Sequence, residues 1–243
     1  NGINESTGLA DGIARDAKVA FYDMEDSGTG KLTVPSSLKN LFDQGRKAGA
    51  TLHSVSWGSS SNIYDSFDHR FDQYLYDNDE FMIFVAAGND GGGCLKAEGC
   101  TSYTEFSFDL SNTVLSPAVA KNVIAVGASN NEGNSKHDWY LKDSEHLAFF
   151  SGRGPTADGR SKPDIIAPGY SVLSAGARPN MKGECDPKNS GMTTFKEVNK
   201  LSTVGLSMNH GTSMATPIAT GTGALIRQYF EEGWYPTGTK NIR

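Results

Sequence analysis

Short runs of β-branched and aromatic residues alternate along this chain with segments of helical period, the signature of parallel strands joined by crossover helices. AKVAFYD (17–23) reads as a buried strand. After the glycine-rich link DSGTGK, the apolar positions Leu38, Leu41, Phe42 and Ala48 recur at helical spacing, with Pro35 suited to a first turn. TLHSVSW (51–57) is a second strand, and Phe67, Phe71, Tyr74 and Leu75 mark a second helix. FMIFVAAGN (81–89) is the third strand. A loop-rich insertion then runs from Asp90 to Ala118, and NVIAVGAS (122–129) supplies another strand. Shorter strands are expected around LAFF (147–150) and VLSA (172–175), with turn-rich SGRGPTADGRSKPD between them. Residues 213–230 form a last helix, whose Ala215, Ile218, Ala219, Gly223, Ala224, Leu225 and Ile226 are small and apolar enough to require burial. The fold class expected is α/β, a sandwich around a mostly parallel sheet, built as one domain over residues 1–243.

Composition narrows the function classes. With 37% hydrophobic and 21% charged residues among 243, a packed core is feasible and the chain reads as globular. A net charge of −6 and the lack of any lysine- or arginine-rich run argue against a nucleic-acid partner. No apolar stretch approaches the roughly 18 to 20 residues that span a bilayer, so no membrane partner is expected. NGINESTGLADG at the start has neither a basic nor an apolar targeting region. Cys94 and Cys100 lie close together in GGGCLKAEGC and Cys185 stands apart; they are idle thiols, or the first two form a local disulfide of a secreted protein. A zinc centre is disfavoured, because neither C-x-x-C nor H-E-x-x-H occurs and His53, His69, His137, His146 and His210 are scattered. No G-x-G-x-x-G follows a strand, which weakens a nucleotide-binding reading, and the sequon Asn4-Glu5-Ser6 is too short a pattern to weigh.

In open α/β sheets, ligand chemistry sits beyond the carboxyl ends of the strands, which selects DSGTG, SWGSS and AAGND. A fourth stretch, NHGTSMATP (209–217), opens the last helix. Pro217 is tolerated only within a first turn, which puts Ser213 at or near the N-cap. There it is a capping hydroxyl, or a nucleophile whose own N–H and helix dipole receive a developing oxyanion. Asn89, at the end of an apolar strand, is a turn residue or a second oxyanion donor.

HGTSMATP (210–217), FVAAGND (84–90), VSWGSS (55–60) and FSGRGPTADGRSKPDIIAPG (150–169), in this order and spacing, resemble the subtilisin-like serine proteases, the subtilases. The resemblance spans residues 8–230 and is strongest to the branch of oxidatively stable alkaline proteases. It implies a subtilisin-like three-layer fold and an endopeptidase with Ser213 as nucleophile and Asn89 as oxyanion side chain. By the same resemblance Ser56, Trp57 and Gly58 line one edge of the substrate cleft, Ser27, Gly28 and Thr29 face them, and Ala87 and Gly88 form the opposite pocket wall. Trp57 is equally readable as a packing aromatic. No cofactor is required. Structural calcium is a family habit, but Asp23, Asp26 and Asp90 form no loop pattern that assigns a site. Secretion is likewise a family habit.

One part of the pattern does not occur. The family order is aspartate, histidine, serine, with a histidine motif like HGTHVAG followed shortly by a segment like GLADGIARDAKVAFYD (8–23). Neither the aspartate motif nor the histidine motif occurs from Asn1 to Arg243, so both are expected upstream, the sheet is expected to lack its N-terminal portion, and the chain alone is expected to be inactive. His210, three residues before Ser213, fits a loop or substrate contact better than a base, while His53 and His69 are expected to turn to the core or to solvent. Two functions follow: the C-terminal catalytic piece of a subtilase that partners its own N-terminal segment and a peptide or protein substrate, or a degenerate domain that binds extended peptides without cleaving them.

Overall fold

The structure, a computed structural model, describes residues 11–26, 28–93, 108–131, 146–175, 197–198, 201–202, 206–235 and 239. Four parallel strands, β1 (Leu52–Val55), β2 (Met82–Ala86), β3 (Ile124–Ser129) and β4 (Ile165–Pro168), pair in chain order. Register runs through Val55 opposite Val85, Val85 opposite Ala125, and Gly127 opposite Ile166. Successive strand residues point to opposite faces. Val55, Ile83, Val85 and Ala125 therefore pack with the helices α1 (Leu38–Lys47) and α2 (Ser66–Asp77), whereas Phe84, Val126 and Ala128 pack with α3 (Thr212–Glu231). That division is the α/β sandwich, with helices on both faces of a parallel sheet, as the alternation of runs predicts.

Local chemistry sets the helix boundaries. Ser37 caps α1 by accepting a hydrogen bond from the Asn40 N–H at 3.4 Å, and Arg46 and Lys47 in the last turn complement the helix dipole. Asp65 and Asp68 form a capping box at the start of α2. Leu38, Leu41 and Phe42 of α1 meet Phe71, Tyr74 and Leu75 of α2 in the first core cluster. Phe42 is its centre, with ring centroids of Tyr74, His53 and Phe71 at 4.8, 5.0 and 5.4 Å. An antiparallel pair, β5 (Val172–Ala175) with β6 (Leu206–Asn209), delivers the chain to the start of α3.

Four expectations need correction. Residues 17–23 form no strand; Val19 is 86% and Phe21 88% exposed, and only Glu25–Asp26 pairs nearby, antiparallel to Lys31–Leu32. An apolar run becomes a strand only when a neighbour takes up its backbone groups, and no described residue does so there. Pro35 precedes the cap Ser37 rather than entering the first turn. LAFF makes one bridge, Leu147 to Ser129, and then turns, with the Ser151 N–H donating to the Ala148 carbonyl. Finally, Leu225 and Ile226 are 44% and 55% exposed. Gly223 packs against Phe84 and Leu52 and the Arg227 guanidinium donates to the Glu80 carbonyl at 3.2 Å, so that side of α3 faces the sheet and Leu225 and Ile226 are left on the other.

His53 lies in the first core against Phe42 and Phe81, and burial pulls its imidazole from 6.5 down to about 4. The unfolded chain therefore takes up a proton that the fold refuses, and stability falls as pH drops from about 6.5 towards 4. The full loss is on the order of 3 kcal/mol. Thermal melts at pH 7 and pH 4.5 are expected to differ by less in His53→Phe than in the parent; equal differences in the two proteins refute this reading.

Candidate active site

The ends of β1 and β2 and the start of α3 enclose a cavity of about 230 Å³, lined by Trp57, Gly58, Gly88, Leu115, Ser116 and Ser213 among others. Two of the three loops selected from sequence, SWGSS and AAGND, supply its walls. In the third, Asp26 closes its own turn by accepting from the Gly28 and Thr29 N–H groups at 3.0 and 2.9 Å and from the Thr29 hydroxyl at 3.0 Å. Those hydrogen bonds hold its carboxylate below the usual range, the Thr29 hydroxyl first among them. Gly28 and Thr29 are not on the cavity lining, and Ser27 lies outside the described residues.

Two carboxylates of α2 hold the far wall. Asp68, fully buried, accepts from the Ser116 hydroxyl at 2.7 Å, and burial raises its pKa against the opposing pull of that bond and the Asp65 amide. Asp72 accepts from the Asn122 N–H at 2.7 Å, the Lys121 N–H at 3.1 Å and the Tyr64 hydroxyl at 2.9 Å. Ser116 in turn offers its carbonyl to the Ser59 N–H at 2.8 Å, so the wall and the SWGSS loop are one hydrogen-bonded unit. A Cβ on Gly58 would lie 2.6 Å from that carbonyl, so only glycine lets these two backbones approach.

Ser213 is the second residue of α3, two positions past the N-cap. The N-cap is Gly211, at φ 146°, which has no side chain to cap with. This corrects the capping reading of Ser213: its hydroxyl is not spent on the helix and donates instead to the Ser56 carbonyl at 3.3 Å. The helix entrance is organised by Asn89, whose Oδ1 accepts from the Thr212 N–H at 2.8 Å and the Thr212 hydroxyl at 3.0 Å. The Thr212 hydroxyl also accepts from the Gly88 N–H at 3.2 Å. With its oxygen fixed this way, Asn89 presents its Nδ2 amide as a free donor, and the Ser213 N–H is one of the first-turn amides that no helical carbonyl can reach. Asn89 and Ser213 both line the cavity.

Trp57 both lines the cavity and packs against Phe71 and Phe67, with ring centroids at 6.2 and 6.3 Å. Gly88 is on the wall, but Ala87 is fully buried and its neighbour Ala86 takes the wall position. His210 lies with its ring stacked on Tyr170 at 5.4 Å, which itself stacks on Phe150 at 5.9 Å. His53 is in the core and His69 is exposed on α2; among the described residues no imidazole hydrogen-bonds to Ser213. Cys94, Cys100, Cys185, His137 and the sequon at Asn4 lie outside the described residues. Among the described residues no three histidine, cysteine or acidic side chains gather as a cation site, and none is assigned. Thr212, Leu115 and Ser116 join the site without a sequence motif that singles them out; Thr212 carries the one available signal, its place immediately before Ser213.

The subtilase-family profile matches residues 1–242 of the chain. The serine protease/ABC transporter B family protein tagD of Dictyostelium discoideum is 30% identical over 98% of this chain, which spans only 16% of that protein. The serine protease AprX of Bacillus subtilis (strain 168) is 35% identical over 60% of the chain and 26% of its own length. A lanthipeptide protease structure superposes on 93% of the chain and 60% of its own, with a TM-score of 0.56 at 20% identity, a likeness of fold.

Proposed function

Because the chain belongs to the subtilase family, we propose that it carries the nucleophile, the oxyanion donors and part of the substrate cleft of a serine endopeptidase. The observation that supports this is one cavity lined by both Ser213 and Asn89, the Asn89 oxygen being held by Thr212 and its Nδ2 left without a partner among the described residues. In this reading the Ser213 oxygen attacks the scissile carbonyl and its proton passes to a histidine. The tetrahedral oxyanion is held by the two donors, and collapse expels the amine with that proton, leaving an ester on Ser213 that water hydrolyses. The histidine and its orienting aspartate come from a segment upstream of Asn1. Two features give that segment something to cover: β1 is an edge of the parallel sheet among the described residues, and Val19 and Phe21 are exposed. An extended substrate runs between the backbones of residues 27–29 and 56–58 as an added strand. No cofactor takes part, and the protein acts outside the cytosol.

A second reading, a peptide binder without turnover, draws on the absence of a histidine bonded to Ser213 among the described residues. The two separate in an active-site titration with a fluorophosphonate probe, run on the chain alone and mixed with the upstream segment. Labelling in the mixture alone supports the endopeptidase. A folded mixture that stays unlabelled but retains extended peptides supports the binder.

Asp90 is the ionisable side chain among the described residues lining the cavity, and it has no cation partner among them. Peptides that place lysine or arginine in the cavity are expected to bind about 2- to 5-fold more tightly than glutamate counterparts at low salt. Fluorescence anisotropy with Asp90→Asn checks this, the preference vanishing in the variant.

A further inference from the structure

Pro217 is the sixth residue of α3, counting Thr212 as the first. In an α-helix its N–H would bond to the carbonyl four residues back, which is that of Ser213, but proline has no N–H and its ring pushes that carbonyl aside. The nucleophile's own carbonyl is therefore left without its helical partner. One residue earlier, where the residue four on keeps its N–H, a hydroxyl from within the helix also reaches the carbonyl, Thr216 donating to Thr212 at 2.8 Å. For Ser213 the donor comes from 157 residues away: the Ser56 hydroxyl donates to the Ser213 carbonyl at 2.9 Å. The Ser213 hydroxyl donates back to the Ser56 carbonyl at 3.3 Å, so the two serines are joined reciprocally, side chain to backbone in both directions.

We propose that Ser56 is a positioning residue, whose hydroxyl replaces the amide Pro217 lacks and so fixes the peptide plane of the nucleophile. Rotation of that plane would carry the Ser213 side chain away from the Asn89 amide. The contact also ties the loop that lines the cavity to the first turn of α3, so that occupation of one is felt at the other. The consequence for catalysis rests on the reading of Ser213 as nucleophile; the contact itself does not.

Two measurements test it. Ser207–Met208 and Ser213–Met214 are the only serine–methionine junctions in the sequence. Protein labelled with ¹³C-carbonyl serine and ¹⁵N-methionine therefore gives two carbonyl–amide correlations, and the one lost in Ser213→Ala belongs to Ser213. In Ser56→Ala that carbonyl resonance is expected to move upfield; in Ser56→Thr it stays, and in Ser56→Ala/Pro217→Ala the new backbone amide brings it back. An unmoved resonance in Ser56→Ala overturns the contact, whatever Ser213 does. The second measurement is fluorophosphonate inactivation of the chain mixed with its upstream segment. Ser56→Ala is expected to lower the maximal inactivation rate about 5- to 10-fold with the half-saturating concentration unchanged, the loss of one hydrogen bond. Ser56→Thr and Ser56→Ala/Pro217→Ala are expected within about 2-fold of the parent. A moved resonance with an unaltered rate overturns the positioning role. If the parent mixture does not label at all, the endopeptidase reading fails, and the carbonyl resonance alone still decides whether Ser56 serves the Ser213 carbonyl.

Discussion

Replacing Ser213 with alanine is expected to remove fluorophosphonate labelling entirely and to lower peptide hydrolysis by the assembled protease at least about 10⁴-fold. The reason is chemical: in the proposed reaction the Ser213 oxygen is the attacking atom, and alanine has none. Thr212 is adjacent in sequence, but its hydroxyl is committed to Asn89 and the Gly88 amide and the residue is fully buried. The same substitution is expected to leave the fold intact, because the one hydrogen bond it removes is a 3.3 Å contact at the surface. Circular dichroism melts within about 2 °C of the parent, together with the loss of labelling, form the expected pair of results. Residual labelling above a few per cent of the parent sinks the assignment.

Asn89→Asp is the second large effect, expected at about 10²- to 10³-fold in turnover with little change in peptide affinity. This magnitude is the one measured for the corresponding kind of donor in subtilisin. Aspartate keeps the oxygen that Thr212 holds through both its N–H and its hydroxyl, so the helix entrance is undisturbed. What changes is the other end of the side chain, where a donor becomes an anion facing developing negative charge. Asn89→Ala is less informative, since it also strands the Thr212 N–H at the entrance of α3. Steady-state kinetics read the result: a fall in kcat with KM steady supports a transition-state role, and a rise in KM at constant kcat refutes it.

How much of this was legible in the sequence differs by the kind of force involved. The central strands were legible because their environment is uniform: Ile83, Phe84 and Val85 are apolar in an unbroken run since both faces of β2 are covered. The amphipathic helices were legible for the same reason, as Leu38, Leu41 and Phe42 repeat on one face. AKVAFYD has the same apolar composition, yet a strand is a property of two segments, and composition cannot say whether the second is present. Leu225 and Ile226 misled in the same way, because which sides of a helix find a partner is not written in the helix alone. At the site, Ser213 and Asn89 could be named from their motifs, but their roles depended on contacts across 123 and 157 residues. The capping reading of Ser213 failed on one detail of backbone geometry, the positive φ of Gly211, which carries the chain into the helix two residues early.

The helix bearing Ser213 lies against all four strands of the parallel sheet. An element anchored so broadly has no hinge of its own: displacing it would uncover Phe84, Val126 and Ala128 together. If Ser213 acts as proposed, heat or denaturant is therefore expected to extinguish its labelling at the point where the sheet itself gives way. The loops that shape the cavity can vary in sequence and length while the reactive group keeps its place, like interchangeable jaws mounted on a fixed axle.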